Sequence, residues 1–168
     1  MSKSTIIIFV VIIISLLLVN FVKIYIYFTN VSYKKDCKKA DVLLCDVKNL
    51  SPREFEVWIA ELMKRAGYKV FLTKQSGDFG ADVIATDKNG VKIAIQVKLY
   101  TNPLGIKCVQ EVIGGMIYYK ADKGWVMSTT PHYTKAAKEL AEKYNIELFN
   151  YYKLYKFLEK VNKGETNG

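Results

Sequence analysis

Asp82, Gln96 and Lys98 are the residues whose types and spacing could do chemistry together. They flank two runs rich in β-formers, Val83-Ile84-Ala85-Thr86 and Val91-Lys92-Ile93-Ala94-Ile95. Between the runs lies Asp87-Lys88-Asn89-Gly90, which suits a three-residue hairpin loop, a type I turn closed by a left-handed Gly90. That loop pairs Asp87 with Val91. Counting back along the ladder sets Thr86 opposite Lys92, Ile84 opposite Ala94 and Asp82 opposite Gln96. Side chains alternate along a strand, so Gln96 and Lys98 share a face, and the turn brings Asp82 to it. The other face carries Val83, Ala85, Ile93, Ile95, Val97 and Leu99 and is expected in the core.

An acid, an amide oxygen and an ammonium on one side of a hairpin fit metal-assisted phosphodiester hydrolysis. Asp82 can bind a hard cation such as Mg²⁺, which favours oxygen ligands; Gln96 offers a carbonyl oxygen, and the Val97 backbone carbonyl is a further candidate. Lys98 can orient a water or stabilise charge on the phosphate. The cation lowers the pKa of bound water and offsets charge in the transition state. An edge hairpin whose polar side chains simply face solvent has the same spacing, and Asp-x13-Gln-x-Lys is too short to separate the two readings. In the loop Lys74 to Ala81, two glycines allow sharp turning, and Asp78 is expected to cap it through backbone amides.

Gly77-Asp78-Phe79-Gly80-Ala81-Asp82-Val83-Ile84-Ala85 followed by Ile95-Gln96-Val97-Lys98 resembles the Mrr-type restriction endonuclease domain, of the PD-(D/E)xK nuclease superfamily, in the branch with Gln at the second acidic position. The resemblance runs from about Leu50 to about Val161. It includes Phe55-Glu56, Ile59, Glu61-Leu62 and Gly67-Tyr68 upstream, and Ser128-Thr129-Thr130 with Tyr133-Thr134-Lys135-Ala136-Ala137 downstream. It implies an α/β restriction-endonuclease-like αβββαβ core, a mixed central sheet flanked by helices. It implies DNA cleavage with Mg²⁺ (Mn²⁺ being the alternative ion), often directed at methylated or foreign DNA and often by dimers. Asp82, Gln96 and Lys98 then carry the chemistry. Glu56 becomes an outer metal ligand or water positioner, and Gln110 falls near the active-site side of its helix.

The elements that must position these residues are legible. Ser51 as N-cap, Pro52 at the first helical position and Glu54 completing a capping box open a helix. Its buried stripe is Phe55, Trp58, Ile59, Leu62, Met63 and Ala66, and Gly67 ends it. A strand is expected over Tyr68 to Thr73. A second amphipathic helix is marked by Ile106, Val109, Val112, Ile113, Met116 and Ile117, with Gly114-Gly115 allowing close packing against the sheet. Asp122-Lys123-Gly124 reads as a turn and Trp125 to Thr129 as a buried strand. A helix with Ala136, Ala137, Leu140, Ala141 and Tyr144 on one face follows, then a strand Ile146 to Phe149 and a helix Tyr151 to Val161. Ser128, Thr129 and Thr130 with the following helix N-terminus are expected to contact phosphate. His132, the sole histidine, sits in a loop and is not needed as a base in a metal mechanism.

Thr5 to Val22 is uncharged and nearly all apolar, long enough to cross a bilayer if Lys23 snorkels and Ile24 to Phe28 extends it. A cleaved signal peptide is the rival reading, but the apolar core is too long and no small-x-small cleavage site follows. Residues 1–30 are therefore expected to be a membrane anchor through 5–28, with 31–49 a linker, 50–161 the nuclease domain and 162–168 a disordered tail. Lys34, Lys35, Lys38 and Lys39 after the span, against Lys3 before it, put the C-terminal domain in the cytoplasm. Cys37, Cys45 and Cys108 are odd in number and read as free thiols.

The chain carries 25 Lys+Arg against 16 Asp+Glu, a surplus that fits a phosphate-bearing partner. Only Arg53 and Arg65 are arginines, so bidentate guanine contacts are few and weak sequence readout is expected. The function implied is a membrane-anchored, metal-dependent DNA endonuclease. Two alternatives remain: an inactive module tethering DNA to the membrane, and a repair or uptake nuclease acting on branched or single-stranded DNA.

Overall fold

The computed structural model describes residues 12–25, 46–74 and 79–165. Two compact units are present, residues 1–41 and 42–168. In the first, residues 12–25 form helix α1, whose apolar side chains, such as Leu17 and Phe21, are exposed. Among the described residues no helix is long and apolar enough to cross a membrane. The flanks of the expected span, 5–11 and 26–28, lie outside them, as do Cys37, Cys45, most of the linker, Asp78 and the last three residues of the tail.

The second unit begins before the expected boundary at Leu50. A 3₁₀ turn, Asp46–Asn49, buries Val47. Helix α2 (Pro52–Arg65) starts as its sequence dictates. The Ser51 side chain accepts from the Glu54 N–H, and the Ser51 N–H donates to Glu54 Oε2 at 2.7 Å. Phe55, Ile59, Leu62 and Met63 are buried, each contributing about 1.5–3 kcal/mol of transfer free energy.

Five strands follow in spatial order β1 (Lys69–Leu72), β2 (Val83–Thr86), β3 (Lys92–Lys98), β4 (Lys123–Ser128) and β5 (Ile146–Phe149). The first three are antiparallel neighbours; β3, β4 and β5 run parallel. Parallel neighbours need crossovers, supplied by α3 (Lys107–Tyr119) between β3 and β4 and α4 (Lys135–Lys143) between β4 and β5. Helix α5 (Tyr151–Asn162) closes the fold. This is the expected mixed sheet flanked by helices. The segment Asp122-Lys123-Gly124 is a correction: Lys123 and Gly124 already belong to β4. Lys123 and Gly124 pair with Ile93 and Ala94 of β3, and a Cβ on Gly124 would lie 2.5 Å from Met116 Sδ, so the glycine makes room for α3 over the start of the strand.

The β2–β3 turn is as its residues require. Thr86 pairs with Lys92 and Ile84 with Ala94. The Asp87 N–H donates to the Val91 carbonyl at 3.0 Å, and Gly90 is left-handed at φ 84°. Both faces of the sheet are covered. Ile84, Ala94, Val126 and Ile146 join Val109, Val112, Ala137 and Ala141 in one cluster under α3 and α4. On the other face Trp125 meets Phe149 and Phe157, near buried Leu154 and Tyr155 of α5.

Candidate active site

Asp82 precedes β2 and is only 5% exposed; Gln96, near the end of β3, is 3% exposed. Gln96 Nε2 donates to Asp82 Oδ2, and the Val97 N–H donates to the same oxygen at 2.6 Å. Charge-assisted bonds of this kind are roughly twice as strong as neutral ones. The turn therefore brings acid and amide together as the ladder count requires. The backbone leaves the regular ladder here, since the Asp82 N–H donates to the Ile95 carbonyl at 2.9 Å.

Three groups hold Asp82 in place. Thr73, at the end of β1, donates its N–H and its hydroxyl to the Asp82 carbonyl at 3.0 and 2.9 Å. The loop before Asp82 lies against α3: a Cβ on Gly80 would stand 2.0 Å from the Glu111 carbonyl oxygen, and one on Gly115 would stand 2.6 Å from the Ala81 Cβ. Phe79, left-handed at φ 52°, stacks on Tyr118 with centroids 3.7 Å apart. Gly114-Gly115 thus serves close packing, against this loop rather than the body of the sheet.

Lys98 ends β3 on the Gln96 side and its Nζ lies 2.9 Å from Glu111 Oε2 on α3. Glu111, which sequence reasoning missed, is the residue α3 turns toward this end of β3; Gln110 is exposed. The signal that could have found it is small-residue spacing. Cys108, Val109, Val112 and Gly115 are the buried positions, and Glu111 stands three after Cys108 and four before Gly115.

Glu56 is partly buried, and its Oε2 accepts from Arg53 Nη1 at 2.7 Å. Arg53 Nη2 in turn donates to the Thr73 carbonyl at 3.1 Å. Glu56 is thus linked to Asp82 through Arg53 and Thr73.

Ser128, Thr129 and Thr130 are 0%, 8% and 0% exposed, and their hydroxyls are engaged internally. Ser128 Oγ accepts from the Thr130 N–H; Thr129 Oγ1 accepts from the Tyr100 N–H and donates to its carbonyl; Thr130 Oγ1 reaches the Asn102 and His132 carbonyls. The expected surface for phosphate is instead a buried clasp that holds the segment after Lys98 to the end of β4. A polar strand end crossed by another segment must satisfy that segment's backbone groups, and these hydroxyls do so. The His132 side chain is exposed.

The donor set suits a hard divalent cation: one carboxylate, one amide oxygen and one peptide carbonyl. No group of three His, Cys, Asp or Glu fit for a metal occurs among the described residues, so a cation at this site would need amide and peptide oxygens beside Asp82. Cys108, on the buried side of α3, is shut away from solvent. Burial, with a lesser push from the Glu111 charge, raises its thiol to about 11.

A mixed five-stranded sheet flanked by helices, with an acid, an amide and a lysine brought to one end of β3, is the arrangement expected of a restriction-endonuclease-like domain. The chain matches the family described as restriction endonuclease, the Mrr catalytic domain, over residues 47–158, and it belongs to that family. It is 33% identical over 110 residues to the type IV methyl-directed restriction enzyme EcoKMrr of Escherichia coli strain K12, covering 61% of this chain and 36% of that protein. Similar solved folds include the DNA modification-dependent restriction endonuclease AspBHI (TM-score 0.57, 19% identity, 79% of this chain and 37% of that one). MspJI restriction endonuclease in complex with a 27-mer oligonucleotide is similar at TM-score 0.52 and 15% identity, covering 79% of this chain and 32% of that one. The chain thus spans about a third of the length of each.

Proposed function

We propose that this chain is a divalent-metal-dependent DNA endonuclease. The observation that carries the reading is the gathering of Asp82, Gln96 and Lys98 at one end of β3, with the two buried side chains hydrogen-bonded to each other. Asp82, the Gln96 amide oxygen and the Val97 carbonyl would hold Mg²⁺ or Mn²⁺. When bound, that ion supplies a water of lowered pKa and compensates charge on the phosphate. Lys98 orients the attacking water and faces the negative charge that builds on the phosphate oxygens. The water gives up a proton to solvent as its oxygen bonds to phosphorus, and the bond from phosphorus to the leaving sugar oxygen breaks, that oxygen taking a proton from solvent. Glu56 acts at one remove, fixing Arg53 and through it Thr73 behind Asp82.

The net charge of +9 supports DNA as the partner, bound mainly through its backbone. Restriction of foreign or modified DNA is the biological role we favour, by analogy with the relatives' names. We also propose that residues 5–28 anchor the chain in a membrane with the nuclease domain on the cytoplasmic side; the uncharged run and the lysines that follow it support this. A dimer would let two such sites cut both strands. The test is incubation of the full chain, purified in detergent, with methylated and unmethylated plasmid in Mg²⁺, Mn²⁺ or EDTA. Nicking that requires the ion is expected. Salt-sensitive binding without nicking under any ion would favour the tethering module instead.

A further inference from the structure

Lys98 does not stand alone at the end of β3. Its ammonium meets Glu111 Oε2 at 2.9 Å, and the two side chains are 35% and 28% exposed. Glu111 Oε2 is enclosed by protein and receives no hydrogen bond of ordinary geometry, so its charge is balanced there by Lys98. The second oxygen, Oε1, faces Lys107 Nζ at 4.0 Å, but Lys107 is 85% exposed and contributes little. The main chain of Glu111 is fixed as well. Gly80 rests against its carbonyl so closely that a Cβ would stand 2.0 Å away, and Asp82 follows two residues later. One contact therefore ties the origin of the Glu111 side chain to the loop that carries the acid.

We propose that Glu111 is a positioning residue for Lys98, an inference that rests on the nuclease reading above. A lysine side chain has a flexible four-carbon stem, and holding its ammonium in one place costs rotamer entropy. A carboxylate mounted on α3 and registered to Asp82 offsets that cost and keeps the ammonium on the face shared with Gln96. Catalysis by a charged group falls off steeply with misplacement, so the geometry assigns Glu111 an effect on turnover rather than on DNA affinity. An acid that merely bordered the DNA path would do the opposite. Neutralising it would tighten binding and leave turnover alone.

The test compares wild type, Glu111→Gln, Glu111→Ala and the control Lys107→Ala in the full chain, with thermal unfolding to check each fold. Single-turnover cleavage of plasmid and the Kd for the same DNA in Ca²⁺ are read separately, and Mn²⁺ affinity is measured by titration. Glu111→Gln is expected to slow cleavage about tenfold or more, with the DNA Kd unchanged or tighter, Mn²⁺ affinity unchanged and Lys107→Ala near wild type. Wild-type cleavage with an equally fast Glu111→Gln would overturn the inference and leave the nuclease reading standing. A matching loss of Mn²⁺ affinity would overturn it in favour of direct ion binding by Glu111. Absence of cleavage in wild type itself would bring down the nuclease reading and this inference with it.

Discussion

Asp82 is held by more bonds than a solvent-facing acid would need. Its Oδ2 takes hydrogen bonds from Gln96 and from the Val97 N–H, and Thr73 secures its carbonyl. Removing the carboxylate would leave a buried N–H without its partner, at about 1–3 kcal/mol. Asp82→Ala should therefore lose stability as well as activity, whereas Asp82→Asn, which keeps an acceptor, should retain most of the stability; urea unfolding separates the two. Cys108 gives a pH-dependent prediction at the same scale. Its folded pKa is raised from the ordinary 9.0 to about 11 by burial. The neutral thiol's contribution is fully present below the unfolded value and is lost as pH rises from about 9 to about 11. Buried Tyr133 is raised in the same sense. Unfolding measured at neutral pH and near pH 10 should show an alkaline loss that Cys108→Ala reduces but does not abolish.

At the scale of elements, the contact between the Asp82 loop and α3 is the joint on which the site depends. Gly80→Ala forces a Cβ into the Glu111 carbonyl and holds alanine at φ 90°, whereas Gly90, at φ 84°, has nothing within 4 Å. Both substitutions incur the left-handed penalty of about 1–2 kcal/mol, but only the first adds overpacking, about 1–3 kcal/mol more. Chemical denaturation should rank Gly80→Ala well below Gly90→Ala, and cleavage should fall in the first alone. Much of this architecture is legible in the residues. Asn89-Gly90 sets the register of β2 on β3, and Ser51 with Glu54 sets the start of α2. The phase of α3 is legible only in part: Val109 and Val112 are buried as their spacing predicts, with Ile113 and Met116 packed against the same core. Counting large apolar residues places Ile106 and Ile117 inside, yet they are 39% and 75% exposed, while Cys108 and Gly115 are buried and a Cβ on Gly115 would stand 2.6 Å from the Ala81 Cβ. Small residues mark where a helix comes nearest its neighbour, and hydrophobicity does not register them. Gln110, named through the family resemblance, is exposed, and Glu111, one position and about 100° further around the helix, is the residue that meets Lys98. The buried clasp of Ser128, Thr129 and Thr130 escapes for a different reason. Which backbone groups those hydroxyls satisfy depends on Tyr100 and Asn102, brought close only by folding.

For the whole molecule, the surplus of lysine over arginine predicts how the proposed DNA partner would be bound. Ammonium groups neutralise phosphates without reading bases, so affinity should fall steeply with salt while differing little between unrelated sequences. Fluorescence anisotropy with several duplexes across a salt series checks this; a strong preference for one duplex would show a reader of sequence that the composition does not suggest. The central claim is that Asp82 and Lys98 perform metal-dependent hydrolysis at the end of β3. The most direct measurement is plasmid nicking in Mg²⁺ by wild type, Asp82→Asn and Lys98→Ala side by side, with DNA binding measured on the same samples. Nicking is expected in wild type and reduced roughly a hundredfold or more in each variant, about 3 kcal/mol of transition-state stabilisation, while binding stays within a few-fold. Nicking that persists in both variants would contradict the account.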